Sequence, residues 1–173
     1  IEKILGGDLE RILGRDGVGL AECAACEISF ERDEEVLQGM MRLAAGMSEI
    51  HRRGTPDTEF AATAVMARMH MRQGNAENAL EMLEKLGCEF EERGEERLIP
   101  NINAMKCRMW LRLGMPENVE RWYRDEAPPA AAQRLRTMWR YRYVTRAMVE
   151  IARGEPEPAL VTLSALMPYY RRC

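Results

Sequence analysis

The chain has 173 residues, 46% apolar and 31% charged, with a net charge of −3. That length suits one domain or a stack of small repeated units, and the balance is that of ordinary soluble protein. The weak acidity supplies no global field toward nucleic acid, no apolar run of about 18 residues exists to span a membrane, and no signal peptide opens the chain.

Strong helix formers fill the chain and alternating β-branched runs are absent, so an all-α fold is predicted. In chain order the pattern predicts helices over about 8–15, 18–31, 34–52, 56–73, 76–93, 99–113, 116–125, 129–153 and 156–172. Their ends carry local signals. Thr55-Pro56 is an N-cap followed by a first-turn proline. Pro116 opens a helix two residues after Gly114, Pro128 and Pro129 precede the long one, and Pro156 and Pro158 fall in the first turn of the last. Proline is tolerated there because first-turn amides lack intrahelical partners. "DEAPPA" near 125–130 reads as the clearest loop, and "EERGEERLIP" at 91–100 as a helix boundary. The 13 methionines read as gap-filling core residues of a helical protein. Basic residues are nearly all Arg, the lysines being Lys3, Lys85 and Lys106.

Cys23, Cys26, Cys88, Cys107 and Cys173 make an odd, scattered set, which argues against a disulfide framework and for a reducing, cytoplasmic compartment. "CAAC" at 23–26 has C-x-x-C spacing but no second pair for zinc and no preceding strand for redox work. In the helical "GLAECAACEISF" the two thiols read as small apolar side chains. The chain begins at Ile1 and stops at Cys173 straight after a predicted helix, as a segment of a longer protein would.

The chain restarts itself every 40 residues. "RMHMRQGNAENALEML" from Arg68, "RMWLRLGMPENVERWY" from Arg108 and "MVEIARGEPEPALVTL" from Met148 align on Gly74, Gly114 and Gly154. Three after each glycine stands an acid (Glu77, Glu117, Glu157), where a helix N-terminus favours negative charge. Five after stands Ala79, Val119 or Ala159, and seven before stands Ala67, Cys107 or Ala147. Small residues on both sides of a turn let two antiparallel helices approach closely, and glycine accepts the left-handed conformation that ends the first.

This pattern resembles the tetratricopeptide repeat, with a longer period and elongated helices. The resemblance implies a TPR-like superhelix of antiparallel helix pairs. It divides a single helical-repeat domain, 1–173, into units 56–95, 96–127 and 128–173 after N-terminal helices at 1–55 that do not phase cleanly. Gly7, with Glu10 and Ile12, is a candidate earlier copy of the turn. From Asn103 onward the chain also resembles the helical-repeat region of the large ATP-dependent LuxR-family transcriptional activators, the maltotriose-activator type. Trp122, a loop, and a helix closing on Ala152, Arg153, Gly154, Glu155, Ala159 and Leu160 carry that resemblance, which covers about 60–173. It implies an ATP-binding domain before this segment and a DNA-binding domain after it. No Gly-Lys-Ser or Gly-Lys-Thr for a phosphate loop occurs within the segment.

No catalytic constellation is legible. His51 and His70 stand alone, without metal-ligand spacing, and no cofactor is expected in this segment. Two basic features compete for a binding role. Arg68, Arg72, Arg108 and Arg112 form i,i+4 pairs. In the tetratricopeptide frame that face lines the concave groove, continued by Asn101 and Met105, and suits a carboxylate or phosphate. The alternative is pairing with glutamates of an adjacent repeat, such as those in "ENALEMLEKL". The second feature is "RLRTMWRYRYVTR" at 134–146, which adds Tyr141 to the candidate groove; its Trp139 and Tyr143, four apart, read as packing residues.

The expectation is therefore a non-enzymatic sensor or protein-interaction segment of a LuxR-type regulator. It would bind a small-molecule inducer or a protein or peptide partner and control self-association beside the other domains of its chain, with no membrane and no direct nucleic-acid contact. The alternative is a stand-alone scaffold that docks a peptide or partner protein.

Overall fold

In the computed structural model, residues 9–33, 36–129 and 139–170 are described. Every regular element among them is helical, and no strand occurs among the described residues. Helical turns at 9–13 run into a 3-10 turn at Gly14–Gly17. Then follow α1 (Leu20–Arg32), α2 (Val36–Arg53), α3 (Pro56–Arg72), α4 (Ala76–Glu92), α5 (Ile99–Leu113), α6 (Pro116–Asp125), α7 (Arg140–Ala152) and α8 (Pro156–Tyr170). A 3-10 turn at Glu96–Leu98 precedes α5.

The local punctuation acts as its chemistry requires. Thr55 caps α3, its Oγ1 accepting from the Thr58 amide at 3.4 Å, and Pro56 stands in the first turn. "DEAPPA" leaves the helix after Asp125. Pro129 is not helical, and the 130–138 part of the predicted 129–153 helix lies outside the described residues, as does Gly7.

The three glycines make one turn three times. Gly74, Gly114 and Gly154 have φ of 81°, 65° and 76°. At each, the next amide reaches back five residues: Asn75 to the His70 carbonyl at 2.8 Å, Met115 to Trp110 at 3.0 Å, Glu155 to Glu150 at 2.8 Å. That is the Schellman closure, which satisfies a helix's last carbonyls and turns the chain back. Beside these turns Ala67, Cys107 and Ala147 are each 1% exposed or less, and Ala79, Val119 and Ala159 are buried too.

The N-terminal helices that the sequence leaves unphased share part of this pattern without its glycine. Asp33 ends α1 at φ 58°, in the left-handed conformation that a short polar side chain tolerates. Seven residues before it stands Cys26, fully buried. Six after it stands Gly39, where an added Cβ would lie 3.5 Å from Cys26 Cα and 3.3 Å from Ser29 Cβ. Cys26 thus holds the place of Ala67, Cys107 and Ala147, which explains half of the C-x-x-C spacing as helix packing.

Packing gathers the chain into two compact units, 1–98 and 99–173. In the first, α1 pairs with α2 and α3 with α4, and α3 lies against both helices of the preceding hairpin. In the second, α5 pairs with α6 and α7 with α8, and α7 lies against α5 and α6. A pair of amphipathic helices cannot bury both apolar faces alone, so a second pair must cover it. Cys23, Cys26, Leu43, Ile50, Ala62, Val65, Met66 and Met69 form the core of the first unit. Ala104, Cys107, Val119, Trp122 and Val149, with Tyr143 packed on Leu166, form that of the second. Met66, Met69 and Met109 are core residues as expected, Met105 is buried in the core rather than lining a groove beside Asn101, and Met41, Met115 and Met167 are exposed. No helix among the described residues is long and apolar enough to cross a membrane.

Burial pushes the Cys23 and Cys107 thiols up to about 12 and Cys26 up to about 11, so all three stay protonated near neutral pH. Native-state alkylation at pH 8, read by mass spectrometry, should therefore label exposed Cys88 and spare these three until the chain unfolds. Ala67→Leu should overpack the α3–α4 approach and cost about 1–3 kcal/mol, seen as a lower midpoint in thermal unfolding. Ala44→Leu, on an exposed face of α2, should change stability by about 0.5 kcal/mol or less.

Candidate functional site

Arg68, Arg72 and Arg108 of the arginine stripe are engaged inside their own units. Arg68 donates to Glu27 and, at 2.5 Å, to Glu31, with its guanidinium 4.4 Å from the Phe30 ring centre. Arg72 donates to the Phe30 carbonyl at 2.9 Å and pairs with Asp33 at 2.7 Å. The partners are therefore acids of α1, not the glutamates of "ENALEMLEKL" on α4. Glu27 and Glu31 stand six and two residues before Asp33, as Arg68 and Arg72 stand before Gly74. The stripe thus begins with two acids that neutralise the next copy, a signal legible only once Asp33 is known to be a turn residue. In the second unit Arg108 donates to Thr145 Oγ1 at 2.7 Å and to the Tyr141 carbonyl at 2.9 Å, and lies 3.6 Å from the Tyr141 ring centre. So Arg108 and Tyr141 are brought together as a stacked pair. Arg112 is exposed near the end of α5 and Asn101 is half-buried in its first turn.

The described part of the second basic feature is a clamp. Arg146 donates to Glu150 at 2.7 Å, to the Pro128 carbonyl at 2.5 Å and to the Tyr123 hydroxyl at 3.2 Å, while that hydroxyl donates to Glu150 at 3.0 Å. Glu150 is fully buried, and a buried carboxylate is tolerable only with such partners. Burial and the bond to Glu150 push the Tyr123 phenol up. Arg142 donates to the Glu126 carbonyl at 2.6 Å and faces Trp139 at 5.0 Å. These arginines fasten the loop after α6 to α7. Tyr143 is core and Trp139 packs beside it, as the four-residue spacing predicts.

A cleft that no linear pattern announces lies in the first unit. It encloses about 710 Å³, within the range of ligand pockets. Met47 and His51 of α2 line one side, Lys85 and Glu89 of α4 the other, and Glu59 and Thr63 of α3 form a buried polar floor. His51 sits in the last turn of α2 and Glu59 in the first turn of α3. His51 Nδ1 is 2.6 Å from Glu59 Oε1 and 3.9 Å from Glu89 Oε2. The other Glu59 oxygen receives Arg93 at 2.7 Å, and Lys85 stands 3.9 Å from Glu89 Oε1. Arg93 is itself seated 4.9 Å from the Phe90 ring centre. The ligating atoms of His51, Glu59 and Glu89 lie within 4.8 Å of one another. His51, isolated in the sequence, therefore faces two carboxylates. Sequence spacing misses this because the three residues come from three helices. A pocket in the second unit is smaller, about 150 Å³, and is lined by Trp110, Val119, Val149 and Arg153 beside the Gly114 turn.

Arg146→Ala should strand Glu150 in the core and cost about 3–5 kcal/mol. Arg68→Ala, whose partners are partly exposed, should cost about 1 kcal/mol and less at high salt. Arg112→Ala should stay within about 0.5 kcal/mol of the parent. Urea unfolding of the three variants at two ionic strengths checks the order. Comparison with protein families, curated proteins and solved structures finds no match to this chain.

Proposed function

We propose that the chain is the sensor and protein-interaction segment of a LuxR-type transcriptional regulator. It is a non-enzymatic, cytoplasmic helical-repeat superhelix flanked in the full protein by an ATP-binding and a DNA-binding domain. The observation that carries this reading is the recurrence of one glycine-closed helix hairpin, at Gly74, Gly114 and Gly154, the last of them within the Trp122-to-Leu160 succession that resembles those activators. The cleft over Glu59 is open and has the size of a small-ligand site. Leu160, Val161 and Met167 on α8 are exposed, which supports contact with another protein surface. The mechanism is a population shift. An inducer or partner that binds one arrangement of the hairpins more tightly favours it and releases the regulator to self-associate.

The test is made on the full-length product of the gene. Sedimentation is followed with ATP and a panel of small oligosaccharides and anionic metabolites, and binding to the gene's own upstream DNA is measured in parallel. One effector should promote assembly and DNA binding and raise the melting temperature by mass action. A full-length product that binds neither nucleotide nor DNA overturns the regulator and leaves the docking scaffold. That scaffold would capture a peptide or protein partner without changing its own association state.

A further inference from the structure

The geometry points to a divalent transition-metal site, of the zinc class, formed by His51, Glu59 and Glu89 at the floor of the cleft in the first unit. This assignment stands whether or not the chain belongs to a regulator. One imidazole nitrogen and two carboxylate oxygens, with room for water, is a donor set for borderline cations such as zinc. It is poorer for calcium or magnesium, which demand more oxygens.

Four features carry the proposal. First, the donors come from three helices and converge on one point, with all three ligating atoms within 4.8 Å. Second, the most buried donor is oriented from behind. Glu59, whose side chain is 5% exposed, commits Oε2 to Arg93 at 2.7 Å, as an outer partner fixes a metal-binding carboxylate, and turns Oε1 toward His51. Third, the spacing needs little change. Donors around a tetrahedral zinc with bonds near 2.0–2.1 Å stand about 3.3 Å apart. His51 Nδ1 is already 3.9 Å from Glu89 Oε2 and must recede from 2.6 Å to Glu59 Oε1. Each of these changes is less than 1 Å for a side chain 56% exposed, and the two carboxylate oxygens, no more than 4.8 Å apart, close by at most about 1.5 Å. Fourth, the site opens into a cleft of about 710 Å³, so water or a ligand group can complete the coordination. Two cations stand near, Arg93 and Lys85, but each faces the outer oxygen of its glutamate. Arg52, also on the cleft wall, is paired with Glu49 at 2.6 Å. Occupied, the site would tie α2, α3 and α4 together and stabilise the first unit in proportion to the free metal.

The experiment titrates the chain, freed of metal with a chelator, with zinc chloride by calorimetry and follows its melting temperature. It repeats the titration with cobalt chloride by absorbance. One zinc per chain should bind with micromolar affinity or tighter and raise the melting temperature, and cobalt should give visible d–d bands without a thiolate charge-transfer band. His51→Ala and Glu89→Gln, both at accessible positions, should each weaken binding by at least about tenfold while keeping the parent's circular dichroism. Cys88→Ser, removing the exposed thiol beside Glu89, should bind like the parent. Absence of binding at micromolar zinc, undiminished binding by both variants, or a signal that vanishes in Cys88→Ser overturns the assignment.

Discussion

The structure depends on how closely two antiparallel helices approach at a hairpin turn. Glycine's left-handed φ lets the Schellman hydrogen bond close without a Cβ clash, and that bond sets where the second helix starts. With the exit fixed, the residues seven before and about five after the turn are buried, as the close approach of two helices at a short turn requires. Only small side chains fit there. Cys26 against Gly39, Ala67 and Ala79, Cys107 and Val119, and Ala147 and Ala159 are four solutions of that one constraint. A hairpin so closed has an apolar flank that only another hairpin can cover, so each unit contains two.

Charge then follows the packing. Stacking brings first helices of successive hairpins side by side, and their facing positions must be compensated. In the first unit acids of α1 meet arginines of α3, with Phe30 as the apolar plate beneath both guanidiniums. In the second unit Arg108 of α5 solves the same problem with a hydroxyl, a carbonyl and a tyrosine face. A stripe of arginines along a repeat is therefore as much a consequence of stacking as a sign of a ligand. The cleft over Glu59 differs in kind. Its buried carboxylate is held from behind by Arg93 and approached from the open side by an exposed histidine.

Helix ends were legible wherever the signal was local. Thr55-Pro56, Pro116, Pro156 and the three glycines placed their elements within a residue or two, because caps and turns act over one helical turn, whereas Pro129 is not helical. The first hairpin was not legible, because Asp33 occupies the glycine's place and the small residue after it falls six rather than five positions on. The buried thiols of "CAAC" were legible as packing from their helical context, although the repeat position of Cys26 emerged only with Asp33. The partners of Arg68 were invisible. They lie about 40 residues away on a helix that the repeat frame did not reach.

By itself the sequence determined that this chain is helical, where those helices with a local cap, proline or glycine signal begin or end, and that its hairpins recur. Those properties follow from backbone conformation and from hydrogen bonds between near neighbours. Only the tertiary structure decided which charges meet: Arg68 with α1, Arg108 with Tyr141 and Thr145, Arg146 with buried Glu150, and His51 with Glu59 and Glu89. Each of these pairings except the one-turn Arg146–Glu150 contact needs groups from different helices. Their distances are fixed by how the small residues let those helices close, so no spacing read along the chain contains them.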